Sequence, residues 1–352
     1  MSRLAHEDDV DPLLVETVDR LLGRAATFEA VESAEAEGWS EPLWKLMAEA
    51  GFPWISVPEH AGGTGGTLAD AMAMLRRVGA HAAPVPVAET GVLGGWLSAS
   101  AGFDVPDGPL TVVADPGALD LSQGRVSGVA VVAWASRAHR ILGIVPDGDK
   151  SSIVSFTPDQ VSIVGGTNLA GEPRDTVSVD VSMAEVDYRP APAGVHGAAL
   201  RLRGALSRVN LAAGALGAMS QLTIDYTNER RQFGKPVASF QAVQQHLVTA
   251  AQAAARAEMA AAVATRAVAR GGGAFEVAAA KVVVDRAVVE ATRAAHQAHG
   301  AMGVTREYPL HHLSRRLWAW RHEYGTARQW RDVVGRSVGA GGADGLWPLI
   351  TT

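Results

Sequence analysis

Hydrophobic positions recur along this chain with two different periods, and the change of period marks off three stretches. From about residue 10 to 105 the apolar residues fall at helical spacing: Val15, Val18, Leu21 and Leu22, then Leu43, Leu46 and Met47. Ser40-Glu41-Pro42 signals a helix start and Gly51 a stop. A glycine loop at 62–66 leads to Thr67, which is placed to cap a helix over 68–78, and Pro84 and Pro86 close that region. From Thr111 to about Val186 the texture shifts to short runs rich in Val, Ile, Ser and Thr. Strands are expected at 112–113, 129–132, 141–145, 153–156, 161–164 and 177–181, forming a compact sheet or barrel. After Pro190 and Pro192 an alanine-rich helical pattern returns. It predicts helices over 198–229, 238–270, 274–302 and 309–336, with Gly271-Gly272-Gly273 as a helix–helix break. The expected organisation is an N-terminal helical domain over 1–107, a central β domain over 108–192 and a C-terminal helical bundle with a tail over 193–352.

Composition narrows the classes open to such a chain. Its 352 residues, 47% hydrophobic and 19% charged, suffice for two or three domains with a large core. A net charge of −6 and the lack of a long basic run remove the electrostatic footprint of a nucleic-acid binder. Cysteine is absent, which excludes disulfides, iron–sulfur clusters and thiolate zinc or nucleophile sites, and fits a reducing cytoplasm. The acidic N-terminus has no signal-peptide pattern, and apolar stretches break well before the roughly 20 residues of a membrane span. A cytoplasmic protein without a membrane span is expected. His311 and His312 are adjacent, so on a helix they are expected to point to different sides, and no His/Glu pair has metal-ligand spacing. The loop at 62–66 lacks the dinucleotide fingerprint, and no serine sits in a nucleophile elbow.

Three motifs hold candidate chemistry. Arg230 and Gln232, just before Phe233-Gly234, place a guanidinium and an amide beside a glycine turn; they suit a pyrophosphate, or a solvated helix end. Gln297-Ala298-His299-Gly300-Ala301-Met302-Gly303 ends a helix, and its two glycines suit either close approach to a ligand or a cap and turn. The third is Glu323-Tyr324-Gly325-Thr326.

The order and spacing of these motifs, with Trp44, Pro58-Glu59, Gln241 and Tyr308-Pro309, resemble the signature of the acyl-CoA dehydrogenases over almost the whole chain. Those flavoenzymes oxidise the Cα–Cβ bond of acyl-CoA thioesters in lipid metabolism. The resemblance implies an N-terminal all-α domain, a central β-sheet or barrel domain and a C-terminal four-helix bundle, assembled as a tetramer. It implies that Arg230, Gln232 and Phe233 touch the FAD of a neighbouring subunit. Gln297, Gly300 and Gly303 would lie against the same cofactor, and Thr326 near its adenine or pyrophosphate part. Electron-transfer flavoprotein would be the electron acceptor.

In the family a carboxylate removes the α proton while the β hydrogen leaves as hydride to the flavin. Many members carry that base directly before the Gly-Thr pair. Here Tyr324 holds that place and Glu323 comes one residue early, about 100° round a helix. Glu323 is the candidate base, expected to point away from the site unless the backbone is re-registered. The stretch 200–208, where other members carry the base, has no carboxylate. The family's Thr-Glu…Gly-Ser-Asp loop has no counterpart, and 131–139 stands in its region. Both departures resemble short actinobacterial subunits that pair with a catalytically complete partner in a mixed tetramer. Trp318, Trp320 and Trp347 fit that subgroup, as interface or as helix packing. Two readings stay open: an FAD-dependent dehydrogenase, in a homo- or hetero-tetramer, or a catalytically incompetent subunit that supports the cofactor.

Overall fold

Helices at either end of the chain flank, in sequence, two β-sheets in the computed structural model, which describes residues 10–351 except 116 and 149. The acidic N-terminus at 1–9 lies outside the described residues. The first helices are α1 (Pro12–Ala25), α2 (Phe28–Glu37), α3 (Glu41–Glu49), α4 (Leu68–Ala80) and α5 (Trp96–Ala101), the last preceded by a π-helical segment, Ala88–Gly95. Thr67 caps α4 as expected, in a reciprocal capping box with Asp70. Helix α2 is an addition to the expected set.

The middle region holds two four-stranded sheets. One has the order β1 (Leu110–Val112), β4 (Arg140–Asp147), β5 (Lys150–Phe156), β8 (Asp187–Pro190), and only its β1–β4 pair is parallel. The other runs β2 (Leu119–Ser122), β3 (Arg125–Ala133), β7 (Arg174–Ser182), β6 (Ser162–Val164), antiparallel throughout. Val126, Val177 and Val181 from this sheet share a core with Ile141, Val154 and Phe156 from the first, so the region is two sheets packed together. All six expected strands are present; β2 and β8 were not foreseen. Along β3 the alternation leaves Val129 and Val131 facing outward, 63% and 69% exposed.

The C-terminal bundle is organised on α6 (Gly197–Glu229), whose 33 residues span about 50 Å. A two-residue hairpin, β9 (Arg231–Gln232) and β10 (Lys235–Pro236), leads to α7 (Gln241–Ala269) and α8 (Ala274–His299). Ala253, Ala257, Ala261 and Ala264 on α7 and Ala280, Ala287 and Ala291 on α8 are buried, small enough to let the helices approach closely. The helix expected over 309–336 is broken. α9 (Leu310–Trp320) and α10 (Ala327–Thr351) are separated by a turn at 321–326 that holds Tyr324 at φ +55° and Gly325 at φ +112°. No described helix is long and apolar enough to cross a membrane.

Candidate active site and cofactor surface

The turn at 321–326 forms one wall of a cleft of about 260 Å³ between the β-sheets and the start of α6. Val112 of β1 and Ala114 after it, Val131 and Ala133 of β3, and Arg174 of β7 line one side; Arg201, Glu323, Tyr324 and Gln329 line the other. Arg201, Gly204 and Arg208 recur at three and four residues, so one face of α6 turns to this wall. Gly204 is required there: a Cβ on it would stand 2.1 Å from Cδ1 of Tyr324. Arg201 and the Trp330 indole both donate to the Tyr324 carbonyl and hold the left-handed turn.

This turn supplies the backbone re-registration on which the orientation of Glu323 was expected to depend. The backbone at 321–326 is not helical, the 100° rotation does not apply, and Glu323 points inward. Its Oε1 accepts from Arg174 Nε at 2.8 Å and from Asn168 at 3.3 Å, and its Oε2 accepts from Arg208 Nε at 2.5 Å. Arg208, itself only 3% exposed, also pairs with buried Glu89, and Arg174 pairs with Glu172 at 3.2 Å. Burial alone would raise the Glu323 carboxyl, but the Arg174 and Arg208 guanidiniums outweigh it and bring it down to about 2. Burial pushes the Tyr324 phenol well above its ordinary value, although Arg208 lies 5.1 Å from its ring centre. Lys281 donates to the Glu323 carbonyl at 3.0 Å, and burial, partly offset by Glu323, brings its ammonium down to about 8. Asp115 is the other carboxylate of the cleft and sits exposed at the rim.

Along 200–208 the lack of a carboxylate was legible, but the roles of Arg201, Arg203 and Arg208 were not. The spacing of Arg201 and Arg208 around Gly204 was the available signal. Arg174, Glu172 and Glu89 gave none, because their partners lie far away in sequence.

The residues expected to hold a cofactor divide between the two ends of α6. Thr326 caps α10, taking Gln329 Oε1 through its backbone N–H at 2.9 Å, and Gln329 also accepts from Arg201. Arg230, Gln232, Phe233, Gln297 and Gly300 lie exposed at the far end. There Phe233 and Gly234, both at positive φ, form the tip of the β9–β10 hairpin, and Phe233 is 92% exposed. Tyr226 of α6 stacks on His299 of α8 at 4.4 Å between ring centres, which brings this hairpin and the Gly300 turn to one end of the bundle. Gly300 sits at φ +61° with open space where a Cβ would be, whereas Gly303 is buried against His296 and His299. The His299 ring is held by Ala295 O at 2.8 Å, and burial lowers its basicity. From Arg201 to Tyr226 the helix rises about 38 Å.

Trp320 is core, donating to Glu172 at 3.0 Å, while Trp318 and Trp347 are exposed. His311 and His312 do not point apart: their ring centres are 4.0 Å from each other, and both face Glu32.

Profiles of known domains match two segments: "Acyl-CoA dehydrogenase, N-terminal domain" over residues 11–101 and "Acyl-CoA dehydrogenase, C-terminal domain" over residues 201–339. Acyl-CoA dehydrogenase IpdE2 of Mycobacterium tuberculosis is 29% identical over 312 residues, covering 85% of this chain and 88% of that protein. Among solved structures, a chain of the ChsE4-ChsE5 complex from Mycobacterium tuberculosis superposes with a TM-score of 0.86 at 22% identity, over 94% of this chain and 98% of that one. A glutaryl-CoA dehydrogenase from Mycobacterium smegmatis in complex with FADH2 gives 0.81 at 15% identity, over 93% and 95%. The helical, β and helical regions match in the expected order, and the two profiles together cover well over half of the sequence. The chain belongs to the acyl-CoA dehydrogenase family.

Proposed function

We propose that this chain is one subunit of a flavin-dependent acyl-CoA dehydrogenase assembled as a mixed tetramer. It holds the diphosphate side of an FAD shared with a related subunit and leaves α-proton abstraction to that partner. The observation that carries this reading is the state of Glu323. A general base works best with a pKa near the working pH. A carboxylate at about 2, with both oxygens engaged by guanidiniums, is a poor proton acceptor. The Tyr324 phenol beside it keeps its proton.

The donor set at the other end of α6 fits the cofactor. Arg230 and Gln232 present an exposed guanidinium and amide, Phe233 an exposed ring, and Gly300 an open backbone flank beside Gln297. Gly303 supports that flank from inside rather than touching a ligand. Thr326, about 38 Å away along α6, is too far from Arg230 of the same chain to share one dinucleotide with it. A site using both sets therefore draws them from different chains. Bound FAD would supply the hydride acceptor, and this chain's residues would bind and orient it. The FADH2-bound glutaryl-CoA dehydrogenase and the two-component ChsE4-ChsE5 complex among the structural neighbours support such an arrangement. An acyl-CoA thioester is the substrate and electron-transfer flavoprotein the electron acceptor in this reading, in a cytoplasmic setting.

The deciding experiment purifies the chain alone and after co-expression with a homologous subunit, then measures flavin per chain and dye-linked acyl-CoA oxidation. Flavin and turnover only on co-expression are expected. Full turnover by the isolated chain, retained in Glu323→Gln and lost in Asp115→Asn, would instead make exposed Asp115 the base and the chain self-sufficient.

A further inference from the structure

Where α2 meets the first turn of α9, two imidazoles and two carboxylates converge. Glu32 and Glu35 come from α2, His311 and His312 from α9, and one ligand atom of each lies within 4.8 Å of all the others. His312 is only 3% exposed, and its Nε2 is buried without a hydrogen-bond partner. That atom stands 3.5 Å from Glu32 Oε2, and His311 Nε2 stands 3.2 Å from the same oxygen.

The remaining ring nitrogens are accounted for. His311 Nδ1 lies 2.9 Å from the Tyr308 carbonyl, and His312 Nδ1 lies 2.9 Å from Glu35 Oε1. Both oxygens only accept, so each ring carries its N–H on Nδ1. A neutral imidazole has one N–H, which leaves both Nε2 lone pairs aimed at a carboxylate oxygen. Each of these lone pairs repels the Glu32 oxygen it meets unless a proton or a metal cation lies between them. Nδ1 donating to a carbonyl or carboxylate while Nε2 points inward is how metal-ligating histidines are held.

The spacing suits a metal as well as it suits the hydrogen bond that a protonated His311 Nε2 would donate to Glu32 Oε2 at 3.2 Å. Ligands at about 2.0–2.1 Å from a tetrahedral zinc ion lie roughly 3.3 Å from one another. The observed 3.2 and 3.5 Å bracket that edge. Charge-assisted N–H···O bonds are shorter, about 2.7–2.9 Å.

We propose that His311 Nε2, His312 Nε2 and Glu32 Oε2 form a binding site for a divalent transition metal of the zinc class, with Glu35 as the supporting carboxylate. Two imidazoles and one carboxylate suit such an ion, and water would complete the tetrahedron. The nearby arginines leave the ligating oxygen free. Arg306 pairs with Oε1 of Glu32 at 2.8 Å, while Arg315 and Arg316 pair with Glu35 at 2.7 and 3.2 Å. Their positive charge also weakens the site for a cation relative to one without guanidiniums. The bound ion would tie α2 to α9, the helix that leads into the 321–326 turn. The rival account is two imidazolium rings in plain ion pairs with Glu32.

The test uses the full chain, stripped with a chelator, titrated with Co(II) and then displaced with Zn(II). Uptake is followed by visible absorption and metal analysis. One metal per chain is expected, with affinity at least tenfold weaker in His311→Gln and in Glu32→Gln, and about 10- to 100-fold weaker in Glu35→Gln. His246→Gln, on α7 and outside the cluster, should bind like the parent. X-ray absorption of the zinc-loaded parent chain, which needs no variant to fold, should show two imidazoles at about 2.0–2.1 Å. No stoichiometric uptake by a folded chain, fewer than two imidazoles, or uptake unchanged in both His311→Gln and Glu32→Gln would overturn the site and leave the ion-paired account.

Discussion

The two ends of α6 treat charge in opposite ways. At its start, Arg208 lies among Glu89, Glu323 and the Tyr324 ring, and both carboxylates pair with it. At its end, Arg230 and Gln232 stand in solvent on a tight hairpin. A buried charge is tolerated only when paired, so the first arrangement serves the architecture. Donors left exposed on a rigid turn cost the fold nothing and remain free for a ligand. The same helix therefore carries a closed ionic junction joining the three regions of the molecule and, at its far end, an exposed polar surface.

The comparison breaks most sharply at Glu323. Glu323→Gln should destabilise the chain by about 3–5 kcal/mol, the cost of removing one member of a buried pair. Urea unfolding would measure it. An unchanged midpoint would mean that Glu323 is held loosely enough to act as a base. Acid should act through Glu323 and also through Glu35 of the α2–α9 cluster. Glu323 and Glu35 are both held at about 2, against an ordinary 4.5. A depressed carboxylate stabilises the fold fully above the unfolded value, and that stability is lost as pH falls from 4.5 towards 2. Glu323 contributes about 3 kcal/mol. Stability flat across that window would remove the junction from the account.

Gly204→Ala comes next. Its new methyl would collide with the Tyr324 ring, at about 1–3 kcal/mol for an overpacked contact. Because the ring lines the cleft, the substitution should also change the cleft's shape. Thermal unfolding and a crystal structure of the variant would check both, and a variant as stable as the parent would show that the turn yields freely.

How far the sequence foretold these features depends on the range of the interactions. Strands such as 141–145 and 177–181 were legible because their apolar residues face a shared core. β8 was not, since Asp187–Pro190 is exposed at every position and offers no alternation. α2 was hidden because only Val31 and Ala34 are buried in a run of glutamates. The break after Trp320 was missed because a tyrosine, not a glycine, takes the first left-handed position. The ionic junction left no local trace: Glu323 meets partners 115 and 149 positions away. His311 and His312 were misjudged by treating helix geometry as decisive at a helix's first turn. There both rings pack beside Phe28 and face α2.

The smallest effect on stability is expected at Arg230, and it is the most discriminating for the open end. Its side chain is exposed, so Arg230→Ala should shift unfolding by less than about 0.5 kcal/mol. If that guanidinium grips a diphosphate in the assembled enzyme, losing a charged hydrogen bond worth about 1.5–3 kcal/mol should weaken flavin retention roughly ten- to hundredfold. Activity per bound flavin should stay near the parent value, because the reacting ring lies away from the diphosphate. Flavin content after gel filtration of the co-expressed complex separates the two outcomes. Equal retention in variant and parent would leave Arg230 a solvated helix-end arginine, and the two ends of α6 would then differ only in exposure.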